Sequence, residues 1–244
     1  MKFMLKAALK YLMEEMSLVN QVMIDGETFV DRPMSRISYN PKASSIQMNT
    51  LSSLVDYIKS GVDFMKDAMI IHVQSPTKVS MYSALDDERI RECIAEVNAK
   101  TPDFPFNQFI EHEKFCINLQ SKFVNDPATD RALILQFAGT VESGTVASYG
   151  DDGVTQKATV KTGIASKGEA IVPNPVRLKG FRTFVEVEQP TQQFVFRMKE
   201  DKYDSICCAL FEADGGAWQI EAVKNIKAYL EEQLKGIEGF IIIS

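Results

Sequence analysis

Histidine is almost missing from this sequence: among 244 residues there are only His72 and His112. His72 sits in the apolar run Met69-Ile70-Ile71-His72-Val73, which reads as a strand with a histidine on its face or in its core. His112 lies in Glu111-His112-Glu113, which reads as a solvated turn, since one imidazole with two acids makes a poor metal centre. Cysteine is nearly as scarce. Cys93, Cys116, Cys207 and Cys208 form no C-x-x-C pair, so no zinc site is expected. Adjacent Cys207 and Cys208 cannot bridge without strain, and buried free thiols fit a reducing compartment. No apolar run reaches the roughly 18 residues a membrane-spanning helix needs. Missing too are a G-x-S-x-G elbow, a Walker loop, a G-x-G-x-x-G turn and an H-E-x-x-H helix. Gly150-Asp151-Asp152-Gly153 lacks the spaced acids and closing glutamate of a calcium loop and reads as a hairpin turn. These gaps argue against an enzyme, and no cofactor or metal ion is expected.

What is present is enough for a folded core, since 45% of residues are hydrophobic. Charge is unevenly spread over the net −6. Residues 114–199 hold eleven Lys+Arg against eight Asp+Glu, whereas the rest holds sixteen against twenty-five. A basic middle and acidic flanks can meet within one chain, between copies, or with an anionic partner.

The first residues, 2–16, place Phe3, Leu5, Leu9, Leu12, Met13 and Met16 at helical spacing; Lys6 and Lys10 break any signal-peptide core, so an amphipathic helix retained in the folded protein is expected. Asp25-Gly26 between two apolar runs predicts a hairpin. A helix over 51–60 is expected, capped by Asn49 or Thr50 and ended by Gly61. Strands over 68–74 and 78–84 follow, then a helix over 87–99 opened by acids. Period-two alternation predicts strands around Phe115–Phe123, Leu133–Phe137 and Val154–Ile164, then over 169–179, 181–189, 193–199 and 205–212. Asp214-Gly215-Gly216 turns into a helix over 217–235, with Asp214 as its cap and Trp218 packing inward. The apolar run Phe240, Ile241, Ile242, Ile243 completes a sheet in its own chain or in a neighbouring subunit. The expected class is α+β, an antiparallel β sandwich or open barrel core with flanking helices. Region 1–112 is read as an N-terminal α+β part and 113–244 as the β core with the last helix and strand, the two forming one continuous domain as the alternative.

The polar faces of the middle strands carry Lys122, Lys157, Lys161, Arg177, Lys179 and Arg182, with Phe181 and Phe184 interleaved. Such a face could take single-stranded nucleic acid by phosphate contacts and stacking, meet acids of its own or a neighbouring chain, or stay solvated.

Several strings are distinctive: Ile71-His72-Val73-Gln74-Ser75-Pro76-Thr77-Lys78-Val79, Val172-Pro173-Asn174-Pro175-Val176, Phe181-Arg182-Thr183-Phe184-Val185-Glu186-Val187-Glu188-Gln189-Pro190 and Ala209-Leu210-Phe211-Glu212-Ala213-Asp214-Gly215-Gly216-Ala217-Trp218. With Asp151-Asp152-Gly153-Val154-Thr155-Gln156, they resemble uncharacterised proteins of prophages in gut and soil Firmicutes, over about residues 45–236. The resemblance implies phage origin and the cytoplasm of a bacterial host. It carries no assigned activity, so no catalytic residue is transferred. The resulting expectation is a non-enzymatic phage protein, without a membrane partner, that assembles with itself through Phe240–Ile243, the uneven charge and the first helix. The alternatives are single-stranded nucleic-acid binding and capture of a nucleotide signal as an anti-defence protein.

Overall fold

The structure, a computed structural model, describes residues 2–17, 21–24, 27–30, 42–63, 68–86, 89–149, 156–161, 167–203 and 205–244. It divides into two compact units, Met1–Lys42 and Ala43–Ser244. The boundary expected at 112/113 falls inside the second unit. The first unit holds helix α1 (Lys2–Ser17) and an antiparallel pair, β1 (Gln21–Ile24) and β2 (Glu27–Val30). Ile24 stands opposite Glu27, the register a two-residue connection imposes; the Asp25-Gly26 turn itself lies outside the described residues.

The second unit is α+β, with helices covering two main sheets, neither closed into a barrel. The first sheet has five strands in the order β14-β4-β5-β6-β3. These are β3 (Ile46–Met48), β4 (Met69–Ser75), β5 (Lys78–Tyr82), β6 (Cys93–Asn98) and β14 (Phe240–Ile243). Pairing is antiparallel across β4-β5-β6 and parallel at both edges. Ile71, Val73, Val79, Met81, Ala95 and Val97 alternate onto one face. There they meet α2 (Leu51–Ser60) and α5 (Ala217–Gln233) through Leu51, Leu54, Ile226 and Leu230. The Thr50 hydroxyl caps α2 by accepting from Ser53 N, and Gly61 closes it at φ +60° in the left-handed region. The N-cap of α5 is Gly216, in the left-handed region at φ +85°, and not Asp214 as expected; the Asp214 carboxylate lies two residues earlier and accepts from Gly216 N at 3.0 Å and Trp218 N at 3.4 Å.

The second sheet runs β11-β12-β13-β7, built from β7 (Ile110–Glu111), β11 (Val176–Leu178), β12 (Gln192–Glu200) and β13 (Ile206–Glu212). Phe194, Phe196, Met198, Cys208 and Leu210 form its inner face. Helices α3 (His112–Lys122) and α4 (Arg131–Thr140) cover them with Phe115, Leu119 and Ile134. A smaller sheet, β10-β9-β8, comprises β8 (Val141–Tyr149), β9 (Gln156–Lys161) and β10 (Lys167–Ile171). The Gly150–Gly153 turn lies outside the described residues.

Three expectations are corrected. Phe115–Phe123 and Leu133–Phe137 are not strands. The buried residues are Phe115, Asn118 and Leu119, three and four apart, then Ile134 and Ala138, four apart, while Ile117 and Leu133 are exposed. The period-two pattern overlapped a helical one, and helix-on-sheet burial decided between them. Of the helix expected over 87–99, the described residues 89–99 are not helical: Ala95 and Val97 enter the core from β6, held between β5 and β3, and Ile90 is exposed. Sheet pairing overrode the helical spacing. Region 181–189 is a loop, pinned by the buried Gln189 amide. Its oxygen accepts from Arg182 N and Thr183 N, and its nitrogen donates to the Phe184 and Val187 carbonyls. Phe184 and Val187 then drop into the five-stranded core while Val185 stays exposed.

Candidate functional site: a sheet edge and its surroundings

The apolar run Phe240–Ile243 becomes β14, parallel to β4, with Phe240 opposite Met69 and Ile243 opposite His72. Its entry is fixed by Gly239, whose carbonyl accepts from Met69 N at 2.7 Å. Phe240 and Ile242 turn toward the core cluster, whereas Ile241 and Ile243 stay 55% and 43% exposed on the outer face. Because β14 is the outermost strand, only one of its backbone edges is bonded to β4. The strand contains no proline, no charge and no bulge, the usual devices that keep sheet edges apart.

A groove lies along each face of this edge. The outer one, about 340 Å³, is lined by Ile70, His72, Tyr82, Arg91, Cys93 and Ile243. The inner one, about 220 Å³, is lined by Glu231, Leu234, Ile237, Phe240 and Ile242. His72 is therefore a sheet-face residue, paired in register with Ser80 and Ile243. The Ser80 hydroxyl, fully buried on that same face, has no hydrogen-bond partner.

The six basic positions do not converge on one strand face. Lys122 ends α3 and its ammonium donates to the Asp103 carbonyl. Lys157 and Lys161 lie on β9. Arg177 and Lys179 flank Leu178 at β11; the Arg177 N–H donates to Asp130, and Lys179 pairs with Asp126 at 3.0 Å and Glu188 at 2.9 Å. These acids hold the Lys179 ammonium above its ordinary pKa.

Arg182 is half-buried among aromatic rings. Its guanidinium lies between two rings, 3.9 Å from the Trp218 centroid and 4.3 Å from that of Phe106. It also pairs with Glu212 at 2.5 Å. With the Gln192 amide turned to accept, its oxygen takes both Arg182 Nη1 at 3.0 Å and Trp218 Nε1 at 3.1 Å. One side chain thus ties the ends of β12 and β13 to the start of α5, which packs on the other sheet. Stacking on bases is one of the three alternatives for the basic face; at Arg182 the rings stacked on are the chain's own.

His112 is no solvated turn residue. It opens α3, its Nε2 lying 3.0 Å from the Ala138 carbonyl and 3.6 Å from Cys116 Sγ. Burial pushes the Cys116 thiol up, away from the thiolate a nucleophile needs. Glu111 caps α3 by accepting from Glu113 N and Lys114 N, which holds its carboxyl below the ordinary range. Among the described residues, no group of three or more His, Cys, Asp or Glu is placed to hold a metal ion. No described helix is long and apolar enough to cross a membrane. Compared with family models, curated proteins and solved structures, the chain finds no match.

Proposed function

We propose that this chain is a non-enzymatic protein that assembles with itself by pairing β14 against β14 of a second copy. The carrying observation is the unprotected apolar edge Phe240–Ile243, with a groove on each of its faces. A strand added there would satisfy the free backbone groups and set alternate side chains into the two grooves. Two-fold symmetry normal to the sheet keeps each face continuous, so only residues of like parity can oppose. Ile242 then faces itself with Ile241 against Ile243, or Ile241 faces itself with Phe240 against Ile242. The ground for taking a phage origin and a bacterial cytoplasm as the setting is the resemblance of the quoted strings to prophage proteins alone.

Size-exclusion chromatography with light scattering tests the pairing. A multiple of the 27.4 kDa chain mass is expected at micromolar concentration. Ile241→Lys with Ile243→Lys should lower that mass, because two charges on the edge oppose strand addition. A monomeric wild type would overturn the reading.

One observation favours single-stranded nucleic acid as a second reading. The register of β9 and β10 pairs Lys161 with Lys167, so two basic residues of the middle region fall at one position of a short sheet. That reading expects affinity for an oligonucleotide that falls steeply with salt and is lost in Lys157→Glu with Lys161→Glu. Unchanged affinity in that variant would exclude this strand as the binding surface.

A further inference from the structure

The first unit carries an exposed apolar stripe of its own. Leu5, Leu9 and Leu12 of α1 are all more than half exposed. Their spacing of four and three, extended to Met16 by another four, is the seam of a two-helix coiled coil. The charges of α1 run against its own dipole. Lysines stand at 2, 6 and 10 and glutamates at 14 and 15; the first turn has no acid and the last no base. An isolated helix prefers the reverse, with acids at its start and bases at its end. Sixteen residues are also few for a helix whose described side chains, 5–12, are all exposed.

An antiparallel partner of the same sequence answers all three points. It covers the leucine seam, stacking Leu9 level with Leu12 and Leu5 level with Met16 of the other copy. It brings each lysine half beside a glutamate half and opposes the two dipoles. A parallel partner would set lysines beside lysines and glutamates beside glutamates. We infer that α1 is a second self-pairing element, docking antiparallel on α1 of another copy through Leu5, Leu9 and Leu12. This contact stands independently of the β14 edge. Together with that proposed edge, each copy has two self-complementary surfaces. When the two surfaces engage different neighbours, growth continues beyond a dimer to a chain or an even-membered ring.

Four full-length proteins separate the possibilities by light scattering: wild type, the edge variant Ile241→Lys/Ile243→Lys, the helix variant Leu5→Glu/Leu9→Glu/Leu12→Glu, and their combination. The edge variant should remain a dimer held by α1, and the combined variant should be a monomer. A monomeric edge variant, or a combined variant with the same mass as the edge variant, would overturn the helix pairing. A helix variant that is monomeric would instead sink the β14 edge and leave α1 standing. Orientation is read by oxidative crosslinking. A mixture of Leu5→Cys and Met16→Cys chains should give a disulfide-linked heterodimer. Leu5→Cys alone should give none, because antiparallel copies hold those positions about 16 Å apart. A Leu5→Cys homodimer would mean parallel helices and refute the arrangement. Loss of binding to anionic lipid vesicles in the helix variant, with its mass unchanged, would assign α1 to a membrane surface and overturn self-pairing.

Discussion

Replacing Arg182 by alanine removes a guanidinium held between the Phe106 and Trp218 rings and paired with Glu212. Each ring contact, partly shielded from water, contributes about 1 kcal/mol. The ion pair involves side chains 20% and 32% exposed, so screening leaves it about 0.5–1 kcal/mol. Trp218 keeps its hydrogen bond to Gln192, so no buried donor is orphaned. The loss is therefore about 2–3 kcal/mol. For a chain of this length that corresponds to roughly 4–12 °C in Tm, read by differential scanning calorimetry or circular dichroism. Arg182→Lys keeps the charge but not the flat surface that stacks on both rings, and should lose a sizeable part of the same stability. A Tm of Arg182→Ala within a degree of wild type would refute the enclosed, structural role of this residue.

Gly61→Ala should cost about 1 kcal/mol, because the left-handed φ of +60° that ends α2 strains any residue with a Cβ; an unchanged urea midpoint would contradict this. Removing the lone Ser80 hydroxyl in Ser80→Ala should leave stability unchanged or raise it by up to about 1 kcal/mol, since that buried group has no partner to lose; a clear drop would show an unseen one. Burial pushes the Cys208 thiol far above the ordinary range, so native protein at pH 8 should alkylate there last, as peptide mass spectrometry after iodoacetamide would show. The folded state holds that proton more tightly than the unfolded chain. Its contribution is thus fully present below the unfolded thiol pKa of about 8.5 and falls as pH rises above it, by up to about 1.4 kcal/mol per unit. A flat stability profile between pH 8 and 10 would refute that linkage.

Legibility followed how local each signal was. The Thr50 and Gly61 ends of α2, the Ser75-Pro76 connection between β4 and β5, and the Asp214-Gly215-Gly216 entry to α5 were readable because capping and turn chemistry sit in a few adjacent residues. Residues 115–123 were not, because Phe115, Ile117 and Leu119 satisfy a strand period while Phe115 and Leu119 satisfy a helical one. Only the sheet beneath, with Phe196 stacked on Phe115 at 5.6 Å, settles which face is covered. The strand β6 was hidden for a related reason: Ile90, Cys93, Ile94 and Val97 satisfy a helical period, and its pairing with β3 joins positions about 49 apart. Of the candidate site, the stickiness of Phe240–Ile243 was plain from composition, whereas its pairing with β4 depends on contacts across some 170 positions. The enclosure of Arg182 was invisible because Phe106, Glu212 and Trp218 are brought to it by the fold.

Amide hydrogen exchange along Phe240–Ile243, compared between wild type and Ile241→Lys/Ile243→Lys, tests strand-to-strand assembly most directly. At micromolar concentration the wild-type amides that point away from β4 should exchange slowly, and dilution or the double substitution should make them fast. Rapid exchange of those amides at every concentration, with the β4-facing ones still protected, would contradict pairing at this edge.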